Sequence, residues 1–252
     1  MLVRTLWVMT ITALDVRKTF NVTQETRYRF NGWFRDRTPL VERVMSHATA
    51  AVLRITPDEI RSACSSLPDT DRPPDVPEIR LWQPTFPFTH VAHHVVERLG
   101  RLPVWDEFRE FCESDEPTRS MLWTPAAEAI ASTADRTLAR NAMRHKVVRH
   151  FADFLRYLSV IAHLRQSGLD VRVHPLADLV FHVEAWAERL ILNPRGGPHR
   201  STPLLIHAMP PFFFHDLALT DHEQVGQVTL PSRHHLDRAA RSLRRILYPD
   251  GP

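Results

Sequence analysis

HPLADLVFHVEAWAERLILN, residues 174–193, decides the fold class. Read with a period of two, Leu179, Phe181, Val183 and Ala185 alternate with Val180, His182, Glu184 and Trp186, which predicts a strand. RLILN, 189–193, continues it as the return of a hairpin. The stretch carries two carboxylates, Asp178 and Glu184. They read either as a catalytic, metal-binding pair or as acids on a sheet edge facing water.

Just upstream the period is helical. TLARNAMRHKVVRHFADFLRYLSVIAHLRQ, 137–166, aligns Met143, Val147, Phe151, Phe154, Leu155, Leu158 and Ala162 in one apolar stripe, and Gly168 ends it. Arg136, Arg140, Arg144, Lys146, Arg149 and Arg156 crowd the first half with little acid among them. The helix dipole is already positive at that end, so it gives no reason for these cations. They form a solvated face, pair with the acidic segment from Asp106 to Glu116, or meet a polyanion.

Downstream, LDVRVHP (169–175), FFFHDLALT (212–220) and VGQVTLP (225–231) read as strands, and NPRGGPHRSTP (193–203) as a loop. Phe212–Phe214 with Pro210 and Pro211 reads as an element entering the core. Ser232 is placed to cap a last helix, RHHLDRAARSLRRILY, with Leu236, Ala240, Leu243 and Leu247 inward and Arg241 and Arg245 adding basic charge.

The first third is helical in pattern. VERVMSHATAAVLRI puts Val41, Val44, Met45, Ala48, Ala51 and Val52 on one face, and Thr56-Pro57 with Glu59 starts another helix. A Pro-rich linker, 65–87, follows. Then come two helices joined at Gly100, with Val91, Val95 and Leu99, and Trp105, Phe108 and either Cys112 or Phe111, facing inward. This is the outline of a helix-turn-helix, but Asp106, Glu107, Glu110 and Glu113 on the second helix would repel phosphate, so the hairpin reads as packing. The expected fold is α+β: a helical N-terminal region (1–70), a linker and helical hairpin (71–135), and a C-terminal part (136–252) with a small mixed sheet between the long basic helix and the last helix.

Composition is that of a folded globular chain: 252 residues, 43% hydrophobic, 24% charged, net charge +3. Lys18 and Lys146 are the only lysines beside many arginines. Cys64 and Cys112 are isolated, which speaks against a disulfide framework and for a cytoplasmic location. The opening MLVRTLWVMTITALDVRKTF is too short and broken an apolar run for a signal peptide, and no run is long enough to span a bilayer. GxSxG, GxGxxG and GxxxxGK[ST] are absent. His90 and His94, four apart with His93 between, look like half a zinc site, but no HExxH glutamate lies between them and scattered histidines are more often exposed or singly hydrogen-bonded.

The order of a long helix, strands, a hairpin, later strands and a helix over roughly 137–230 resembles the PD-(D/E)XK restriction-endonuclease-like superfamily. The resemblance implies a Mg²⁺ held by Asp178 (after Pro175) and Glu184, with Asp170 as a second choice for the first acid. Trp186 stands where the family has lysine, which leaves Lys146 or Arg189 to supply that charge. The expectation is therefore a protein that binds DNA or RNA through Arg136, Arg140, Arg144, Lys146, Arg149, Arg241 and Arg245. It would be a Mg²⁺-dependent nuclease in a mobile-element or defence setting, or that enzyme's catalytically degenerate relative. The alternative is a non-enzymatic interaction subunit whose basic helices dock on an acidic partner or on the chain's own acidic hairpin, and the expected partners include another protein or a second copy as a homo-oligomer.

Overall fold

A computed structural model describes residues 10–249 apart from 22, 36–37, 70–74, 85, 195–211 and 218. The fold is α+β, with a helical N-terminal part and small C-terminal sheets. In chain order it begins with β1 (Ile11–Thr12), α1 (Ala13–Phe20), α2 (Gln24–Arg35), α3 (Pro39–Ser46) and β2 (Ala48–Thr49). There follow α4 (Pro57–Ser65), α5 (Pro77–Leu81), α6 (Phe88–Leu99), α7 (Trp105–Ser114) and α8 (Glu116–Thr118). A π-helical turn, Arg119–Trp123, leads to α9 (Thr124–Ala131) and the long α10 (Arg136–Gln166). The remainder is α11 (Pro175–Phe181), β3 (Ala185–Ala187), β4 (Leu190–Asn193), β5 (Phe213–Asp216), β6 (His222–Val225), β7 (Val228–Pro231) and α12 (Arg233–Leu247).

The 31-residue α10 is the axis, about 46 Å long. Asp135 caps it by accepting from the Thr137 and Leu138 amides. Its first half buries one stripe and leaves an exposed basic side; from Phe154 to Leu164 it is buried almost all round. Helices α4, α5, α6, α9 and α12 and strand β7 pack on it. One hydrophobic core runs from Ile11 to Leu243 through all three regions marked out in the sequence. Every residue of the predicted stripe is in it. Phe108 of α7 meets Phe151 at 4.6 Å between ring centroids, so α7 turns its apolar face to the axis.

The capping signals are found as expected. Thr56 and Glu59 form a reciprocal capping box on α4, Gly100 ends α6 in the left-handed region (φ 70°), and Ser232 accepts from the His235 amide at the start of α12. The main sheet is mixed, in order β3-β4-β5, with β3–β4 antiparallel and β4–β5 parallel. Trp186 on β3 is buried, its ring edge-on to Phe20 at 5.1 Å.

Five local expectations are corrected. The helix read over 41–55 stops at Ser46: Ala48–Thr49 pairs with Ile11–Thr12, and the amides of Ala50, Ala51 and Val52 bond to the Glu97 carboxylate at 2.8–2.9 Å. The strand read through Leu179–Trp186 is helix up to Phe181, because His174 caps and Pro175 occupies the first helical position. The strand at 169–175 reduces to a single bridge between Arg172 and Trp186. VGQVTLP is not one strand but the turn and second arm of a hairpin, with Gly226 at φ 55°. Phe213, expected in the core, is 64% exposed; Pro210 and Pro211 lie outside the described residues.

Candidate functional site

Two features bear on function: a buried cavity that gathers the sequence-predicted acids, and an exposed set of arginines. The cavity lies where α6, α10 and α11 meet. α6 contributes His90 and His93, α10 Tyr157, the start of α11 His174 and Asp178, and the segment before β3 Glu184. Asp178 and Glu184 thus reach one place, although Asp178 sits on a short helix and Glu184 on the bend that precedes a strand.

The histidines are held in defined states. His174 Nδ1 accepts from the Leu176 amide at 3.0 Å while Nε2 donates to the His47 carbonyl at 3.1 Å, which fixes the neutral Nε2–H tautomer. Burial pushes His174 down to about 4. His47, whose ring lies edge-on to that of His174 at 5.5 Å, is pushed down to about 3 by burial and then by His174, His94 and His90. His90, 2% exposed, presents Nε2 to Asp178 Oδ2 at 3.1 Å. The Asp178 carboxylate can only accept, so Nε2 donates to it, while Nδ1 is buried with no hydrogen-bond partner among the described residues. Tyr157 donates to the Glu184 carbonyl at 3.1 Å. His94 turns instead to Asp115, 3.5 Å away, so the pair spaced four apart does not converge on one point.

Two carboxylates are what a protein commonly gives Mg²⁺, with water and substrate oxygens completing the shell. The space here does not suit that arrangement. The cavity measures about 10 Å³, room for roughly one water and none for a phosphate. Asp170 is occupied by Arg172 at 2.6 Å and Arg165 at 3.5 Å. Among the described residues no group of three or more His, Cys, Asp or Glu could hold a metal ion.

The basic residues of α10 fall into two classes. Lys146 donates to the carbonyls of Ile79, at 2.9 Å, Arg80, at 2.8 Å, and Trp82, closing the C-terminal end of α5. Burial lowers its pKa. Arg156 donates to the Thr229 carbonyl at 2.8 Å and so ties β7 to the axis. Arg136, Arg140, Arg144 and Arg149, by contrast, are exposed, as are Arg241 and Arg245 on α12, and none of the six has an acidic partner among the described residues. The acidic segment is satisfied elsewhere: Glu107 pairs with Arg101 at 2.7 Å, Asp115 with His94, and Arg109 lies between Asp106 and Glu113 at 3.8 and 3.9 Å.

These six arginines do not form one patch. Arg140 and Arg144 line a cleft beside α7 and α9, whereas Arg149, about 140° further round the helix, lines a groove beside α5. α12 meets the far end of α10, with His163 2.8 Å from Asp237 and Arg244 donating to the Ser167 carbonyl. Arg241 and Arg245 are therefore roughly 30 Å along the axis from Arg144. Sequence reasoning missed the parts played by His47, Tyr157 and His93; only the density of histidines hinted at them. No helix among the described residues is long and apolar enough to cross a membrane. No family model matches the chain, and neither does any curated protein or solved structure.

Proposed function

We propose that this chain binds nucleic acid, through phosphate contacts made by Arg136, Arg140, Arg144 and Arg149 at one end of the axis and Arg241 and Arg245 at the other. The observation that carries the reading is the exposure of these six guanidiniums with no carboxylate partner among the described residues. Arginine's fixed fork suits bidentate phosphate contact, and neutralising phosphates releases counterions. An acidic protein would meet the same side chains, so the test must separate the two partners.

The test is a salt series of fluorescence anisotropy on labelled single- and double-stranded DNA and RNA. Phosphate contact gives a linear fall of log affinity with log salt, at a slope of roughly 0.9 per phosphate neutralised on a duplex. Absence of binding to every probe at low salt overturns the reading and leaves the acidic-protein alternative. The same samples incubated with Mg²⁺ report cleavage. Cleavage that is lost in both Asp178→Ala and Glu184→Ala, with binding kept, would restore the nuclease reading implied by the restriction-endonuclease-like resemblance.

A further inference from the structure

The cleft beside Arg140 and Arg144 has a shape that backbone contact alone does not call for. It encloses about 460 Å³ between α7, the π-turn, α9 and the first half of α10, within the usual size of a small-molecule site. Its lining is apolar below, with Trp105, Ile130, Met143 and Val147, and basic above, with Arg109, Arg119, Arg140 and Arg144 against the single acid Glu113. Arg109 touches acids only loosely, at 3.8 and 3.9 Å, and Arg119 has no acidic partner among the described residues.

Trp123 also lines the cleft. It is half-buried, and its indole Nε1 is buried with no hydrogen-bond acceptor among the described residues. The backbone here is a π-turn, closed by the Thr124 amide donating to the Arg119 carbonyl, and this wide turn brings Arg119 and Trp123 to the same cleft. Such single π-turns are frequent at functional sites.

We infer that this cleft takes one unstacked nucleotide, its base against the tryptophan-walled apolar floor and its phosphate among Arg109, Arg119, Arg140 and Arg144. An acyl chain would fill the floor but offer at most one charge to four guanidiniums. A duplex would present phosphates but no base face, because its bases stay stacked. A nucleotide supplies both, and indole and guanidinium planes are the groups on which single-stranded bases stack. The inference rests on the nucleic-acid reading and adds to the phosphate contacts a seat for one single-stranded residue. The same chemistry is offered by a free mononucleotide.

Two variants test it. Trp123→Phe removes the reporter nearest the base. Ala127→Glu, at an exposed position of α9 on the cleft wall, adds a carboxylate without disturbing the core. Tryptophan fluorescence and anisotropy are followed with thymidine monophosphate, a short oligothymidylate and a blunt duplex, after circular dichroism shows each variant folded. The expected result is quenching by the oligothymidylate that is largely lost in Trp123→Phe. Its affinity should fall about tenfold or more in Ala127→Glu while duplex binding changes far less. Oligothymidylate far tighter than the mononucleotide identifies a residue of a strand as the occupant; equal affinity identifies the free nucleotide. Single-strand binding with no quenching, or untouched by Ala127→Glu, overturns the inference and leaves the phosphate-contact reading standing. No binding of any probe overturns both.

Discussion

His90 Nε2 lies 3.1 Å from Asp178 Oδ2, a contact between α6 and α11 across 88 residues of sequence. The histidine is fully buried and the carboxylate reaches toward the surface, so this bond closes the small cavity from the outside. Replacing Asp178 with Ala leaves a buried ring N–H unsatisfied, at a cost of about 1–3 kcal/mol. Urea unfolding should show a lower midpoint with an unchanged slope. A double-mutant cycle with His90→Phe should recover a coupling of about 1 kcal/mol, and zero coupling would show that the two side chains do not bond.

Acid should unfold this protein before its carboxylates protonate. His47 and His174 titrate from 6.5 in the unfolded chain, but burial moves them to about 3 and about 4 in the fold. Between those values the unfolded state holds more protons, so stability is full above 6.5 and is lost as pH falls toward the folded values. The loss should reach the order of a few kcal/mol. Unfolding free energy measured against pH checks this, and His47→Leu should flatten the profile; a wild-type profile level between pH 6.5 and about 4 would contradict the assigned neutral states.

Glu97 accepts three main-chain amides, from Ala50, Ala51 and Val52, at 2.8–2.9 Å. It does for this turn what a helix or strand would otherwise do for its N–H groups. Glu97→Gln keeps the acceptor oxygen but replaces the other with a donor, and should cost about 2 kcal/mol; Glu97→Ala should cost about 3 kcal/mol or more. Hydrogen exchange at Ala50–Val52 should accelerate in both variants. Unchanged protection there would show that the carboxylate is dispensable.

The arginines make separable contributions if they contact phosphate. Arg149→Ala and Arg241→Ala should each weaken binding to all sequences alike and reduce the salt slope by about 0.9. The α12 arginines are roughly 30 Å along the axis from Arg144, close to nine base pairs of duplex. Arg241→Ala should then matter only on longer duplexes. An equal effect on a shorter duplex would show that the α12 arginines reach the nucleic acid by another route.

Much of this architecture was legible in the chain. The stripe from Met143 to Ala162 has a single period over more than five turns, and Thr56, Gly100 and Ser232 are local signals whose geometry depends on few neighbours. Where the reading failed, two local solutions competed. Leu179–Val183 satisfies both a period of two and a short helix, and the arbiter was Pro175, a first-turn residue that forms no useful ladder bond. His47 breaks a helical pattern only because Glu97, fifty residues on in the chain, holds the amides beyond it. The candidate site was half legible. Asp178 and Glu184 stand out by chemistry, but their histidine neighbours come from α6, α11 and the end of α3, and no local pattern links those segments.

The three carbonyls around the Lys146 ammonium also fix how the surface responds to amine reagents. Of the two lysines, Lys18 stands in solvent on α1, while Lys146 has each N–H aimed at the main chain of α5. An activated ester therefore modifies Lys18 more readily than Lys146, whose ammonium must first leave those carbonyls. Acylation of Lys146 then reports how often those contacts break, read by mass spectrometry of the proteolytic peptide that carries it.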